Sequence, residues 1–317
     1  MNSSFQKFPT ESSDLYLTDG GLETTLVFLE GFDLPCFAAF DLLKEEKGIE
    51  ALRSYYRRFL EIAANNQTNF ILESPTWRTN PDWLKQIGYS PEDLLTLNQK
   101  AIQLMQELKE EYSSKIPQIL ISGCLGPRGD GYQVRNQMDA KEAKSYHAPQ
   151  IMAFSKFGVD LVSAITMTNV EEAHGIAQAA SDANIPCVIS FTLETDGKLP
   201  SGMPIQEAIT LVDHSDSVPP IYYMINCAHP DHFMDKLIRG KEDPWIHRIR
   251  GIRANASCKS HEELDNSTEL DRGNPADLGL QYREIKEKFP HMTVFGGCCG
   301  TDEEHVKEII LQVKTVS

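Results

Sequence analysis

Short apolar runs alternate along this chain with longer segments in which apolar residues recur every three or four positions, and the alternation repeats about eight times. The short runs predict strands at Leu15–Thr18, Asn69–Glu73, Gln118–Gly123, Asp160–Ala164, Cys187–Thr192, Tyr222–Asn226, Arg250–Ala254 and Thr293–Gly296. The longer segments predict helices at Ile49–Asn65, Pro91–Tyr112, Ala140–Phe157, Val170–Asp182, Ile205–Asp213, Asp231–Arg239, Ala276–Lys288 and Asp302–Lys314. A strand followed by a helix, repeated, builds a parallel sheet; eight such units closing on themselves make an α/β fold of the (β/α)8 TIM barrel type. No linker divides the chain, so one barrel domain is expected over residues 1–317.

Helix-start signals agree with this rhythm. Thr301, with Glu304 three residues later, reads as a capping box for the last helix, and Ser90-Pro91 reads as a cap followed by a first-turn proline. The segment from Arg253 to Ala276 is expected as a long loop over one end of the barrel.

Barrels of this kind carry their chemistry at the C-terminal ends of the strands. The residues that follow the predicted strands include Asp19-Gly20-Gly21, Glu73 with Trp77, Glu194, Asn226-Cys227, Asn255, and Gly297-Cys298-Cys299. The three cysteines stand out. Three soft sulfur ligands suit Zn2+ and leave a fourth tetrahedral position open, where an incoming thiol would be held as its nucleophilic thiolate. The glycines at 296 and 297 are expected to supply the backbone freedom that aims two successive thiols at one point. The other reading of the same residues is a buried apolar thiol at Cys227 and a packing or vicinal redox pair at Cys298-Cys299. Cys36, Cys124, Cys187 and Cys258 read as packing or surface thiols.

Asp19 is a candidate to hold an ammonium group, with Gly20 and Gly21 letting a ligand approach the backbone. Asn226 and Asn255 are candidates to donate to metal-bound sulfur, and Glu73 and Glu194 are candidate ligand carboxylates. Trp77 is expected in the wall of the site, where an aromatic face would suit a sulfonium or quaternary ammonium methyl donor.

Composition narrows the partners. Lys plus Arg number 30 against 46 Asp plus Glu, a net charge of −16, which repels nucleic acid and anionic membrane surfaces on average. No basic-then-apolar leader opens the chain and no run is long enough to span a bilayer, so a cytoplasmic protein is expected. Seven scattered cysteines do not form a secreted disulfide framework. A His-Glu-x-x-His motif and a dinucleotide-binding glycine loop are both missing. The expected partners are small molecules, with the chain a monomer or small homo-oligomer.

In order along the chain, Asp19-Gly20-Gly21, Gly126-Pro127, Gly158-Val159-Asp160, Asn226-Cys227, Asn255 and Gly296-Gly297-Cys298-Cys299-Gly300-Thr301 resemble the homocysteine S-methyltransferases. The resemblance implies a (β/α)8 barrel whose zinc is held at Cys227, Cys298 and Cys299, with homocysteine accepting a methyl group to give methionine. It departs from the family at Ala164-Ile165-Thr166, where many members carry a glutamate that binds the amino group of homocysteine. Ile165 cannot accept a hydrogen bond, so either Glu73, Glu194 or Asp19 takes that task or the acceptor is a different thiol. A non-catalytic zinc- or thiol-binding barrel is the remaining alternative. No cobalamin or folate module and no long C-terminal extension accompanies the barrel motifs, which points to a small free donor such as S-methylmethionine or S-adenosylmethionine.

Overall fold

Eight parallel strands close into a barrel in chain order, with β1 paired to both β2 and β8. They are β1 Tyr16–Leu17, β2 Asn69–Glu73, β3 Ile119–Leu125, β4 Leu161–Met167, β5 Cys187–Thr192, β6 Tyr222–Asn226, β7 Ile249–Ala254 and β8 Val294–Gly297. This computed structural model describes residues 7–132, 134, 137–215 and 217–316, so the start of the polar N-terminal stretch lies outside the described residues. The outer helices are Glu46–Asn66, Asp93–Tyr112, Ala140–Phe157, Val170–Asp182, Ile205–Asp213, Pro230–Arg239, Pro275–Lys288 and Glu303–Lys314. Among the described residues no helix is long and apolar enough to cross a membrane.

The period-two alternation of each strand divides the core. Outward residues such as Phe70, Leu72, Ile189, Phe191, Ile225 and Phe295 join the helix faces in one large apolar cluster. Inward residues Tyr16, Ile71, Leu120, Leu161, Val188, Tyr222, Met224 and Val294 fill the barrel interior. Nearer the C-terminal mouth the interior turns polar: Ser122 and Ser163 hydroxyls meet at 2.8 Å, and Ser190 donates to Asn226 Oδ1 at 2.7 Å. The apolar plug therefore ends where the chemistry-bearing residues begin.

Both expected helix-start signals are used differently. Ser90 donates from both its N–H and its hydroxyl to Asp93 Oδ2, at 2.8 and 3.0 Å, which holds Pro91 in a turn and delays the helix to Asp93. The last helix is capped by Asp302 rather than Thr301, with His305 rather than Glu304 completing the capping box. Thr301 is occupied elsewhere, donating its hydroxyl to the Cys298 carbonyl at 2.7 Å. The expected loop between β7 and its outer helix contains a short helix, His261–Asp265, capped by Ser260 with Glu263.

Burial alone would raise the Asp302 carboxyl, but the His305 hydrogen bond and charge, with Arg272 beside them, bring it from its ordinary 3.8 down to about 2. A depressed carboxyl pKa stabilises the fold above the unfolded value, and that contribution fades as pH falls through the folded value. Asp302→Ala should therefore cost about 1–2 kcal/mol at neutral pH in urea unfolding. The gap to the parent protein should narrow as pH falls from 3.8 through about 2.

Candidate active site

β7 works as a splint between the two cysteine-bearing segments. Cys227 N donates to the Arg253 carbonyl at 3.1 Å, Cys298 N to the Ala254 carbonyl at 2.8 Å, and Ala256 N to the Cys299 carbonyl at 3.1 Å. These bonds bring the three sulfurs within 4.8 Å of one another, with Cys227 and Cys299 Sγ 3.7 Å apart. Cys227 and Cys298 are paired as a disulfide with Cα atoms 5.4 Å apart, and Cys299 is free. A vicinal Cys298–Cys299 bridge, considered from the sequence, is not the pairing found.

The glycines serve this convergence by their size, not by unusual dihedrals. Neither Gly296 nor Gly297 has a positive φ, which belongs instead to Cys227 at +50° and Gly300 at +80°. A Cβ on Gly297 would collide with the Thr301 side chain, and one on Gly21 would sit 2.6 Å from the Cys298 carbonyl oxygen. Gly21 thus admits the cysteine loop itself.

Asn226 organises the other side. Its Oδ1 accepts from Thr166 N at 3.0 Å, and its Nδ2 donates to Thr166 Oγ1 at 2.8 Å while lying 3.8 Å from Cys298 Sγ. Thr166 sits at φ +67°, where the β4–β5 register shifts, a conformation that costs a β-branched residue about 1–3 kcal/mol. The Asn226 amide holds it there. Tyr132 lays its hydroxyl 3.4 Å from Cys299 Sγ and 3.9 Å from Cys227 Sγ, its ring stacked on His261 at 4.1 Å.

The carboxylates expected at the strand ends separate into two groups. Asp19 and Glu73 are buried and share Arg253, whose NH2 donates to Asp19 Oδ1 at 2.6 Å and whose NH1 pairs with Glu73 Oε2. Tyr55 donates to the second Asp19 oxygen at 3.1 Å. Burial pushes the Asp19 carboxyl above its ordinary value against the pull of Arg253 and Tyr55. Glu194 is not with them: it meets His261 Nδ1 at 3.0 Å, and His261 Nε2 in turn meets the Cys227 carbonyl at 2.8 Å. Asn255 is buried and lines neither cavity, and its Oδ1 has no hydrogen-bond partner among the described residues. Among the other cysteines, Cys187 packs in the core, Cys258 is exposed, and Cys124 lines the site beside Ile165.

Two joined cavities open on the thiols. The inner one, about 90 Å3, is lined by Asp19, Gly20, Gly21, Glu23, Glu73, Trp77, Ile165, Arg253 and the three cysteines, among others. The outer one, about 320 Å3, shares Glu23, Trp77, Thr166, Cys227 and Cys299 and adds Phe28, Phe37, Arg78, Asp130, Tyr132, Asp265, Glu269 and Asp271. Arg78 lies between Trp77 and Trp83, 4.1 and 3.8 Å from the two rings, and burial lowers it to about 10.

Arg253, Glu23, Arg78 and Tyr132 were not among the sequence candidates. Arg253 carried a usable signal, a charge at an inward position beside the C-terminal end of a strand. Tyr132 carried none, since its segment has no strand or helix period.

The barrel thus sets three cysteine sulfurs beside cavities of small-molecule size. A sequence profile described as homocysteine S-methyltransferase matches residues 16–313, and the chain belongs to that family. A selenocysteine methyltransferase from Astragalus bisulcatus is 25% identical over 322 residues, covering 92% of this chain and 90% of that protein. The homocysteine S-methyltransferase YbgG of Bacillus subtilis (strain 168) is 23% identical over 240 residues, covering 70% and 72%. The homocysteine methyltransferase MmuM from Escherichia coli in its oxidised form superposes with a TM-score of 0.75 at 18% identity, covering 96% of this chain and all of the other. Its metallated form gives 0.73, also at 18% identity, covering 94% and 96%. The protein is therefore a thiol S-methyltransferase with a TIM barrel fold.

Removing the Arg253 guanidinium would strand two buried carboxylates. Arg253→Ala should lose about 3–5 kcal/mol of stability in urea unfolding near neutral pH. Without the cation the Asp19 carboxyl rises further, so the folded variant binds extra protons and should regain stability as pH is lowered.

Proposed function

We propose that the protein is a zinc-dependent methyltransferase that moves a methyl group from a small sulfonium donor, such as S-methylmethionine or S-adenosylmethionine, to the thiol of homocysteine, giving methionine. The convergence of Cys227, Cys298 and Cys299 beneath the joined cavities carries this reading. Zinc–thiolate bonds of about 2.3 Å in a tetrahedron set the sulfurs roughly 3.8 Å apart. The 3.7 Å between Cys227 and Cys299 matches that spacing, so the donor set fits the ion once the Cys227–Cys298 pair is reduced. Zinc bound there would keep an acceptor thiol deprotonated at neutral pH. MmuM, the structural neighbour, is known in both metallated and oxidised forms.

The chain's own residues supply the rest. Asn226 Nδ2 and the Tyr132 hydroxyl point polar hydrogens toward the sulfurs and temper their charge. Trp77 donates its indole N–H to the Ile165 carbonyl at 3.0 Å, which fixes its ring as the wall between the cavities. Among the described residues, the lining of the outer cavity sets Glu23, Asp130, Asp265, Glu269 and Asp271 against Arg78, with Phe28, Phe37, Trp77 and Tyr132 as aromatic surface. Such a lining favours a cationic donor over an anionic one. In the transfer, a sulfur lone pair of the acceptor forms the new S–CH3 bond. The donor's S–CH3 bond breaks, its electron pair stays on the donor sulfur as a neutral thioether, and the acceptor's proton leaves to solvent. A reducing, cytoplasmic setting agrees with the need for three thiols.

Metal analysis of the reduced protein should find zinc in a one-to-one ratio, and a panel of thiols and donors should give the highest rate with homocysteine and a sulfonium. Cys298→Ala should lose both metal and methyl transfer; full activity in the metal-free variant would reject the proposal.

A further inference from the structure

The inner cavity brings three carboxylates, Asp19, Glu23 and Glu73, together with one guanidinium, Arg253. Arg253 is already committed, its Nε donating to the Gly297 carbonyl at 3.0 Å while its terminal nitrogens serve Asp19 and Glu73. Both Asp19 oxygens are also engaged, by Arg253 and Tyr55. Two groups are left over. Glu73 Oε1 is buried with no hydrogen-bond partner among the described residues, and a buried acceptor of that kind costs about 1–3 kcal/mol unless something fills it. Glu23 makes no salt bridge and no hydrogen bond to another residue among the described residues, although it lines both cavities. Burial, and behind it the negative charge of Asp19, pushes its carboxyl up to about 7. The wall contributed by Ile165 is apolar and answers neither group.

A cation arriving from outside would satisfy both. We propose that Glu23, together with the free Oε1 of Glu73, receives the ammonium group of an amino-acid thiol, so that Glu23 selects acceptors bearing an amine over plain mercapto acids. The inference rests on the thiol-acceptor reading above and assigns the amine end of that acceptor. The charge count favours this ligand because it relieves the carboxylate excess without displacing Arg253 from the strands it joins. The carboxylate of Glu23 would also gain by becoming fully ionised against an ammonium.

Calorimetric titration of the reduced, zinc-loaded protein with homocysteine and with its des-amino counterpart, mercaptobutyrate, tests the assignment independently of turnover. The parent protein should bind homocysteine about tenfold more tightly, the scale of a charge-assisted hydrogen bond. Glu23→Gln should reduce that preference to within about threefold, and adding Ile165→Glu, which returns a carboxylate to the same cavity, should restore it. Equal affinities in the parent protein would overturn the inference, as would an unchanged preference in Glu23→Gln or a loss confined to a titrated sulfonium donor. Failure of the methyltransferase reading would show separately, as no transfer to any thiol by the parent protein.

Discussion

Arg253 is the residue on which the arrangement of the barrel mouth depends. Its carbonyl receives Cys227 N, its Nε reaches the carbonyl just before Cys298, and its terminal nitrogens hold Asp19 after β1 and Glu73 at the end of β2. Its side chain thus joins the ends of β1, β2, β7 and β8, and with its backbone carbonyl the residue reaches both cysteine segments. Burying such charges costs several kcal/mol per ion before pairing offsets it, so the cluster is better understood as fixing geometry than as adding stability. A thiol site needs sulfur positions set to a few tenths of an ångström, and a rigid, fully bonded support provides that.

The second support is softer. Asn226 uses both ends of its amide to hold Thr166 in a left-handed conformation and still lies beside Cys298 Sγ. The strain at Thr166 falls where the β4–β5 register shifts, and the positive φ at Cys227 comes directly after β6. Regular strand geometry would point consecutive side chains to opposite faces; these two departures turn backbone and side-chain groups toward a common centre instead.

Charge divides the site by depth. The inner cavity couples a committed guanidinium to an excess of carboxylate, and the outer one sets a ring of acids among aromatic faces. Both ask for positive charge from the ligand, one next to the sulfurs and one farther out. That pattern accords with an amino-acid acceptor below and an onium donor above, and it opposes polyanionic ligands in either place.

Local signals were enough for the βα rhythm, because the helical and strand periods are properties of neighbouring residues and survive without knowledge of the fold. They also singled out Cys227, Cys298 and Cys299, since thiols at strand ends are chemically conspicuous wherever the chain carries them. Local signals misplaced the cap of the last helix, because Thr301 was needed by the Cys298 carbonyl and Asp302 by Arg272 and His305. They gave no sign that Arg253, on a strand distant in the chain, pairs with both Asp19 and Glu73. They also missed Glu23, which makes no salt bridge or hydrogen bond to another residue among the described residues once its neighbours have chosen theirs. The amino-acid sequence by itself determined which elements form and which atoms can do chemistry, because those follow from side-chain type and spacing. Only the closed barrel decided which of those atoms meet, because pairing among buried charges is a competition settled by distance across the mouth and not by position in the chain.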